Sequence, residues 1–114
     1  MKVLICGSRG INDPAVVAQA VEKSGMKPTH IVSGGALGVD TLARSYAQSR
    51  GIEFTEYVAD WDRYGKRAGF MRNCVMVGVA DAVIAVWDGE SPGTRHSIDY
   101  ATSQGKQVFV LRPE

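Results

Sequence analysis

The sequence predicts an α/β fold class in which a parallel sheet of five strands is covered by helices on both faces. Three observations lead to this prediction. Short apolar runs alternate along the chain with segments of helical periodicity, as in consecutive β-α-β units. Glycine, serine and proline cluster where these apolar runs end. Right-handed crossovers then favour the strand order 3-2-1-4-5, which gives a three-layer Rossmann-like arrangement.

The first third of the chain is predicted to hold a strand, a helix and a second strand. Residues 2–6 (KVLIC) form a short apolar run. The helix should start at Asp13 and Pro14, because Asp caps free amides and Pro fits the first helical position. Gly25 should end that helix. The second strand is predicted at 29–32.

The middle of the chain repeats the pattern with more polar residues. A second helix is marked by apolar residues between 39 and 47, and Gly51 should end it. A third strand is predicted at 52–58, near an edge of the sheet because it is the most polar. Residues 59–66 (ADWDRYGK) are predicted to be a loop. An apolar helix should follow at 68–80.

The last third completes the sheet. Residues 82–87 (AVIAVW) are the most apolar strand, and 88–93 (DGESPG) form a loop. A fourth helix is predicted at 94–104 and a fifth strand at 106–111. The chain has no internal repeat or linker, so residues 1–114 are expected to be a single domain.

Composition limits the function. With 45% hydrophobic and 22% charged residues a packed core is feasible, and a net charge of +1 gives no strong nucleic-acid signal. Cys6 and Cys74 are expected to be buried apolar residues. The sequence contains no cluster of cysteine and histidine residues, so neither a metal site nor a cofactor is predicted. No segment is long and apolar enough for a membrane span, and none reads as a signal peptide, so a cytoplasmic location is expected.

Three loops rich in glycine and serine should meet at one edge of the sheet. In the order 3-2-1-4-5 the winding reverses between strands 1 and 4, and ligands of such sheets bind beyond the carboxyl ends at that point. The loops at 7–10 (GSRG) and 88–94 (DGESPGT) follow these two strands, and 33–38 (SGGALG) follows the neighbouring one. A single glycine-rich loop is weak support for a site, whereas three at one edge are harder to attribute to turns.

A phosphate-binding site is the predicted use of these loops. Two helices begin directly after them, and their first amides are free and partially positive. Tight turning with self-capping hydroxyls is the alternative explanation. The candidate ligand-binding residues are Gly7, Ser8, Arg9, Ser33, Gly34, Gly35, Asp40, Lys66, Arg72, Asn73, Asp88, Ser91, Gly93 and Thr94.

Several candidates have a plain structural alternative. Arg9 either contacts phosphate or is an exposed loop charge, and Asp40 either contacts a ribose hydroxyl or favours the helix dipole. Trp61 either stacks on a base or anchors its loop. Arg72 either faces solvent or reaches the ligand edge. His30 is expected at the surface.

Four stretches carry a resemblance to a known family. They are GSR (7–9), SGGALGVDTLA (33–43), ADWDRYGKRAGFMRN (59–73) and ADAVIAVWDGESPGT (80–94). In these stretches the chain resembles the SLOG superfamily of Rossmann-like nucleotide-binding domains, in particular its YspA-like branch. The superfamily includes the Lonely Guy phosphoribohydrolases, which cleave base from ribose in nucleoside monophosphates, and DprA-type DNA-processing proteins.

The resemblance also identifies a departure from the hydrolases. Arg72 fits the position of an arginine that they carry. Their motif PGGxGTxxE corresponds here to GESPGTRHS (89–97), so Ser97 replaces the glutamate of the hydrolytic machinery. His96 and Asp99 are the substitute catalytic candidates beside Arg72, with Glu90 and Asp88 as further acidic groups.

The sequence leaves two functions of different classes, a binding module and an enzyme. The missing glutamate favours a module that binds a nucleotide or a phosphoribosyl ligand in order to sense or sequester it. The alternative is an N-glycosidic hydrolase, and single-stranded nucleic acid binding is less favoured because the net charge is near zero. The helix at 68–80 is apolar enough to form a homodimer interface.

Overall fold

A computed structural model describes residues 1–113, in which five strands alternate with helices. In chain order the elements are β1 (Lys2–Gly7), α1 (Val16–Ser24), β2 (His30–Gly34), α2 (Val39–Arg50), β3 (Glu53–Tyr57), α3 (Trp61–Tyr64), α4 (Ala68–Val79), β4 (Ala82–Val86), α5 (Pro92–Ser103) and β5 (Gln107–Leu111). A 3-10 turn over Gly65–Arg67 joins α3 to α4. Within residues 1–113, no helix combines the length and the apolar character that crossing a membrane requires.

The five strands form one parallel sheet in the predicted order β3-β2-β1-β4-β5. The register pairs Val3 of β1 with Ile31 of β2 on one side and with Ala82 of β4 on the other. The polar strand β3 lies at one edge, as predicted. Because β1 is central and the chain winds away from it in both directions, the loops after β1 and β4 flank the point where the winding reverses.

Helices cover both faces of the sheet because alternate strand residues point to opposite sides. Val3 and Ile5 of β1 pack into the core beneath α1 and α2, whereas Leu4 and Cys6 pack beneath α4 and α5. All five residues of β4 are buried, in agreement with their continuous apolar run. Each large apolar side chain buried in this way contributes about 1.5–3 kcal/mol to stability.

The predicted loop at 59–66 is wrong, because most of it forms α3 and the following 3-10 turn. Asp60 starts α3, since its carboxylate accepts a hydrogen bond from the amide of Arg63 at 3.1 Å. Four helical residues are too few to give a periodic pattern, which explains why the helix was not predicted.

Two helix starts also differ from the prediction. The first helix begins at Val16 rather than Pro14, because the Asp13 carboxylate accepts from the Ala15 amide and closes a turn before the helix. The last helix begins two residues earlier than predicted, at Pro92, which occupies the favoured first helical position.

His30 is less exposed than predicted, and Cys74 is less buried than predicted. His30 was expected at the surface, but its side chain is only 23% exposed and its ring lies 2.7 Å from the Thr55 hydroxyl. Cys6 is buried as predicted, whereas Cys74 is only half-buried on α4. His30 is partly buried because it pairs with Glu53, the first residue of the neighbouring edge strand β3.

Candidate functional site

A cavity of about 390 Å³ opens at the carboxyl edge of the sheet, where the three glycine-containing loops meet. Its size falls in the range of small-molecule sites. It is lined by Cys6, Gly7, Arg9, Gly10, Ala36, Asp40, Arg72, Asn73, Met76, Ser91, Pro92, Gly93, Thr94 and Ser97. The fold therefore brings together eight of the fourteen predicted ligand-binding residues, from β1 and the loop after it, α2, α4 and the start of α5: Gly7, Arg9, Asp40, Arg72, Asn73, Ser91, Gly93 and Thr94.

The start of α5 presents the clearest anion-binding geometry in this cavity. Ser91 precedes the helix without capping it through its side chain, and Pro92 has no amide proton to offer. The amides of Gly93 and Thr94 lie in the first turn, where no intrahelical acceptor exists. Thr94 is 6% exposed, and its hydroxyl can add a donor. Asn73 fixes this turn by donating from Nδ2 to the Gly93 carbonyl at 3.3 Å.

Arg72 reaches from α4 across the cavity towards the loop after β2. A methyl group on Gly34 would lie 3.0 Å from the guanidinium carbon of Arg72 and 3.0 Å from Oδ2 of Asp40. Only glycine at this position lets both charged groups approach the strand end. The Nε atom of Arg72 is buried without a hydrogen-bond acceptor among residues 1–113. The guanidinium nevertheless lines the cavity, and its positive charge there favours an anionic ligand.

Asp40 lies in the cavity wall and is 8% exposed. Its carboxylate accepts hydrogen bonds from the Ser33 hydroxyl at 3.0 Å and from the Ala36 amide at 3.1 Å. Burial raises the pKa of the Asp40 carboxyl, although these hydrogen bonds and the charge of Arg72 oppose the rise. Asp40 therefore stabilises the turn after β2 through these hydrogen bonds, while part of its side chain lines the cavity.

Two amides between the end of β2 and the start of α2 are engaged by the protein itself. Besides the Ala36 amide, the Val39 amide at the start of α2 donates to the Ser8 carbonyl at 3.4 Å. Gly38 has a φ of +76°, and a methyl group there would collide with the carbonyls of Ser8 and Arg9. This part of the loop thus serves a tight strand-to-helix turn. Gly35 remains exposed beside the cavity edge.

Ser8, Asp88 and Ser91 form a network that joins the loops after β1 and β4. The Ser91 hydroxyl lies 3.0 Å from both the Ser8 hydroxyl and the Asp88 carboxylate, and Ser8 Oγ accepts from the Asp88 amide. Hydrogen bonds from the amides of Ser91 and Glu90 lower the pKa of Asp88 to about 2. These groups position the start of α5, and Asp88 itself does not line the cavity.

Three candidate residues lie away from the cavity. Lys66 is exposed on the 3-10 turn, and Asp99 is an exposed partner of Arg95 at 3.7 Å. His96 packs between the rings of Phe70 and Tyr100, with centroid distances of 4.5 and 6.2 Å. None of the three candidates lines the cavity. The described residues bring no group of three metal-binding side chains together.

The position that carries a glutamate in the hydrolase motif lies inside the cavity as Ser97. Its hydroxyl donates to the Gly93 carbonyl at 3.4 Å. Cys6 lines the same region, and burial raises the pKa of its thiol to about 12. Cys6 is therefore a neutral thiol rather than a nucleophile. Asp40 is the one carboxylate among the cavity-lining residues that the structure describes.

A second cavity of about 180 Å³ adjoins the first and was not predicted. Arg9, Ala36 and Arg72 line both cavities, and the second adds Gly35, Glu56, Val58, Ala59 and Trp61. Sequence reasoning singled out Trp61 but not Glu56. The signal was available, because Glu56 lies near the carboxyl end of β3 and so faces the same edge of the sheet.

Comparisons with known proteins agree with this fold. The chain is 36% identical over 117 residues to the gene 61 protein of Mycobacterium phage D29, with 95% of this chain and 94% of the relative covered. It is also similar to the crystal structure of DNA processing protein A (DprA) from Streptococcus pneumoniae, with a TM-score of 0.80 at 22% identity. That match covers 99% of this chain but only half of the DprA chain, and at this identity it shows the fold alone.

The family assignment rests on the amino-terminal part of the chain. Residues 1–64, which include the loops after β1 and β2 and the whole of β3, match the model of the YspA, cpYpsA-related SLOG family. Arg72 and the start of α5 lie outside the matched range, so their roles have to be argued from geometry. Because the match spans more than half of the 114 residues, the chain belongs to the YspA, cpYpsA-related SLOG family.

Proposed function

We propose that this protein binds a nucleotide or a nucleotide-derived phosphoribosyl ligand at the carboxyl edge of its sheet, as a sensing or sequestering module. The observation that carries the proposal is the meeting of the Arg72 guanidinium with the free first-turn amides of α5 in one cavity. Both groups favour a phosphate, for which helix amides and guanidinium are common partners.

The remaining cavity residues suit the rest of such a ligand. The phosphate would contact the amides of Gly93 and Thr94, with Arg72 and Arg9 as cationic partners. The Asp40 carboxylate, held in place by the loop after β2, would accept from ribose hydroxyl groups. A carboxylate and a phosphate site in the lining of one cavity are compatible with a phosphoribosyl group.

Binding without cleavage is the favoured form of this proposal. Cleavage of a glycosidic bond needs a group that stabilises the ribosyl cation or activates water. Ser97 cannot supply a carboxylate, and neither His96 nor Asp99 lines the cavity. The alternative is an N-glycosidic hydrolase, and one observation favours it: Asp40 is a cavity carboxylate whose pKa is raised by burial.

Single-stranded nucleic acid binding is a weaker candidate. The DprA chain is named as a DNA processing protein, and its fold is shared here. A net charge of +1 provides little of the phosphate attraction that supports such binding. We therefore place a small molecule rather than a polymer in the cavity.

We further propose that residues 1–114 act as one SLOG-like domain that associates as a homodimer through α4. Phe70, Met71, Val75 and Val79 of this helix are 39–51% exposed and apolar. The one charged side chain of α4, Arg72, points towards the cavity instead of this face. Exposed apolar surface of this kind is typical of interfaces.

Calorimetric titration of nucleoside monophosphates and the matching nucleosides tests the proposed function. We expect the monophosphates to bind and the nucleosides to bind at least tenfold more weakly, because the α5 amides and Arg72 recognise phosphate. Thr94→Val should weaken monophosphate binding several-fold, whereas Thr102→Val on the exposed side of α5 should not. Equal affinity for nucleosides and monophosphates, or no binding of either, would contradict the proposal.

A further inference from the structure

The lining of the second cavity suits a flat ring. Trp61 lines it and is 51% exposed, so its ring is accessible to a ligand. The ring rests against the backbone at Gly69, where a methyl group would lie 3.0 Å from it. Val58, which is 75% exposed, and Ala59 add apolar surface to the same cavity. Aromatic and apolar side chains of this kind stack on nucleobases.

Among the described residues, Glu56 is the one acidic side chain that lines this cavity, together with the cationic Arg9 and Arg72. Its Oε1 atom accepts a hydrogen bond from Nη2 of Arg44 at 2.7 Å, and the Arg44 guanidinium lies 5.4 Å from the Phe54 ring centroid. The carboxyl group also lies against Gly35, where a methyl group would come within 3.3 Å of Oε2. Arg44 therefore fixes the direction of the carboxylate while Oε2 keeps no protein donor among residues 1–113.

The two cavities adjoin each other and share three lining residues. Arg9, Ala36 and Arg72 line both, so Arg72 lies between the start of α5 and Glu56. A ligand whose phosphate is bound at α5 can extend past Arg72 towards Trp61. The phosphate and the base of one nucleotide would then occupy the first and the second cavity, respectively.

We propose that the second cavity is a base subsite that selects guanine, with Glu56 as the specificity-determining residue and Trp61 as the stacking surface. This inference rests on the proposed function. A carboxylate only accepts hydrogen bonds, and guanine offers it two adjacent donors, N1–H and the 2-amino group. Adenine and cytosine carry an unprotonated ring nitrogen next to their amino group. This ring nitrogen would face the carboxylate oxygen with no proton between the two acceptors. Uracil offers one donor flanked by two carbonyl oxygens.

Titration of GMP, IMP and AMP, each with the wild-type protein and with Glu56→Gln, tests this selection. We expect GMP to bind at least tenfold more tightly than AMP, and IMP, which lacks the 2-amino group, to fall between them. Glu56→Gln should weaken GMP about tenfold and strengthen AMP, since Gln keeps an acceptor for Arg44 but turns a donor to the base, where it meets the unprotonated ring nitrogen of adenine. Glu53→Gln is the matched control, because that side chain on the same strand is 81% exposed and outside both cavities.

Two further measurements separate the base subsite from other outcomes. Trp61→Ala should weaken all three nucleotides, because stacking does not depend on the base edge. Titration of dGMP should show weaker binding than GMP by the same factor in the wild-type protein and in Glu56→Gln, because Asp40 and not Glu56 contacts the ribose. A loss with dGMP that disappears in Glu56→Gln would assign Glu56 to the ribose and overturn the proposal. If GMP and AMP bind equally and both depend on Thr94 but not on Glu56, the proposed function stands and the guanine subsite is wrong.

Discussion

Replacing Arg72 with alanine should weaken nucleotide binding while leaving the fold intact. Arg72 lines both cavities and forms no ion pair among residues 1–113, so a bound phosphate would be its principal partner. Hydrogen bonds to charged groups contribute about 1.5–3 kcal/mol each. The loss of one such contact corresponds to a dissociation constant about 10- to 150-fold higher. The fold should persist because Asp40 keeps both of its hydrogen bonds to the loop after β2.

Calorimetric titration of GMP into wild-type protein, Arg72→Ala and Arg95→Ala measures this effect. Arg95 is the matched control, since it is 71% exposed on α5 and outside the cavities. Arg72→Lys should lie between wild type and Arg72→Ala, because lysine keeps the charge but loses the planar fork of donors. Thermal melting establishes that each variant is folded. An unchanged affinity in a folded Arg72→Ala protein would refute the assignment of Arg72 to the phosphate.

Three further predictions concern the loops and α4. Gly38→Ala should lower the free energy of unfolding by about 1–3 kcal/mol, because φ is +76° and the added methyl group would meet two carbonyls. Gly78→Ala, in open space within α4, should raise the free energy of unfolding by about 0.5–1 kcal/mol. Denaturant titration of both variants measures these changes. Folding lowers the pKa of Asp88 from 3.8 to about 2, mainly through the hydrogen bond from the Ser91 amide. Because the unfolded chain then binds a proton at a higher pH than the folded protein does, stability should drop as the pH falls from about 4 to 2. Asp88→Asn should show a flatter dependence of stability on pH. Val75→Glu should convert a dimer to a monomer in sedimentation velocity, and a wild-type monomer would contradict the proposed interface.

The architecture could be predicted because its determinants are local. The run at 82–86 is apolar at every position, and a strand buried on both faces requires that pattern. Crossover handedness then restricts the strand order, and the winding reversal indicates the edge where ligands bind. The cavity lies at that edge, with residues from all three predicted loops around it.

The parts that could not be predicted depend on contacts between distant side chains. Nothing in SGGALG indicates that the Asp40 carboxylate accepts a hydrogen bond from the Ala36 amide, which removes one backbone donor of this loop from ligand binding. The approach of Glu56 to Gly35 depends on the pairing of β2 with β3 and on the ion pair with Arg44. The periodicity of α5 likewise does not reveal that His96 packs against Phe70 instead of facing the cavity.

The central claim, that the protein binds a nucleoside phosphate without cleaving it, is tested most directly by measuring binding and free-base release in the same samples. GMP, AMP and CMP are incubated with the protein at concentrations that calorimetry shows to be saturating, and the free base is followed by chromatography. We expect saturable binding of at least GMP and no release beyond the protein-free control, because a missing acid-base group typically costs about 100-fold or more in rate. Release of free base over many turnovers, abolished by Asp40→Asn, would contradict the claim and establish a hydrolase that uses the cavity carboxylate.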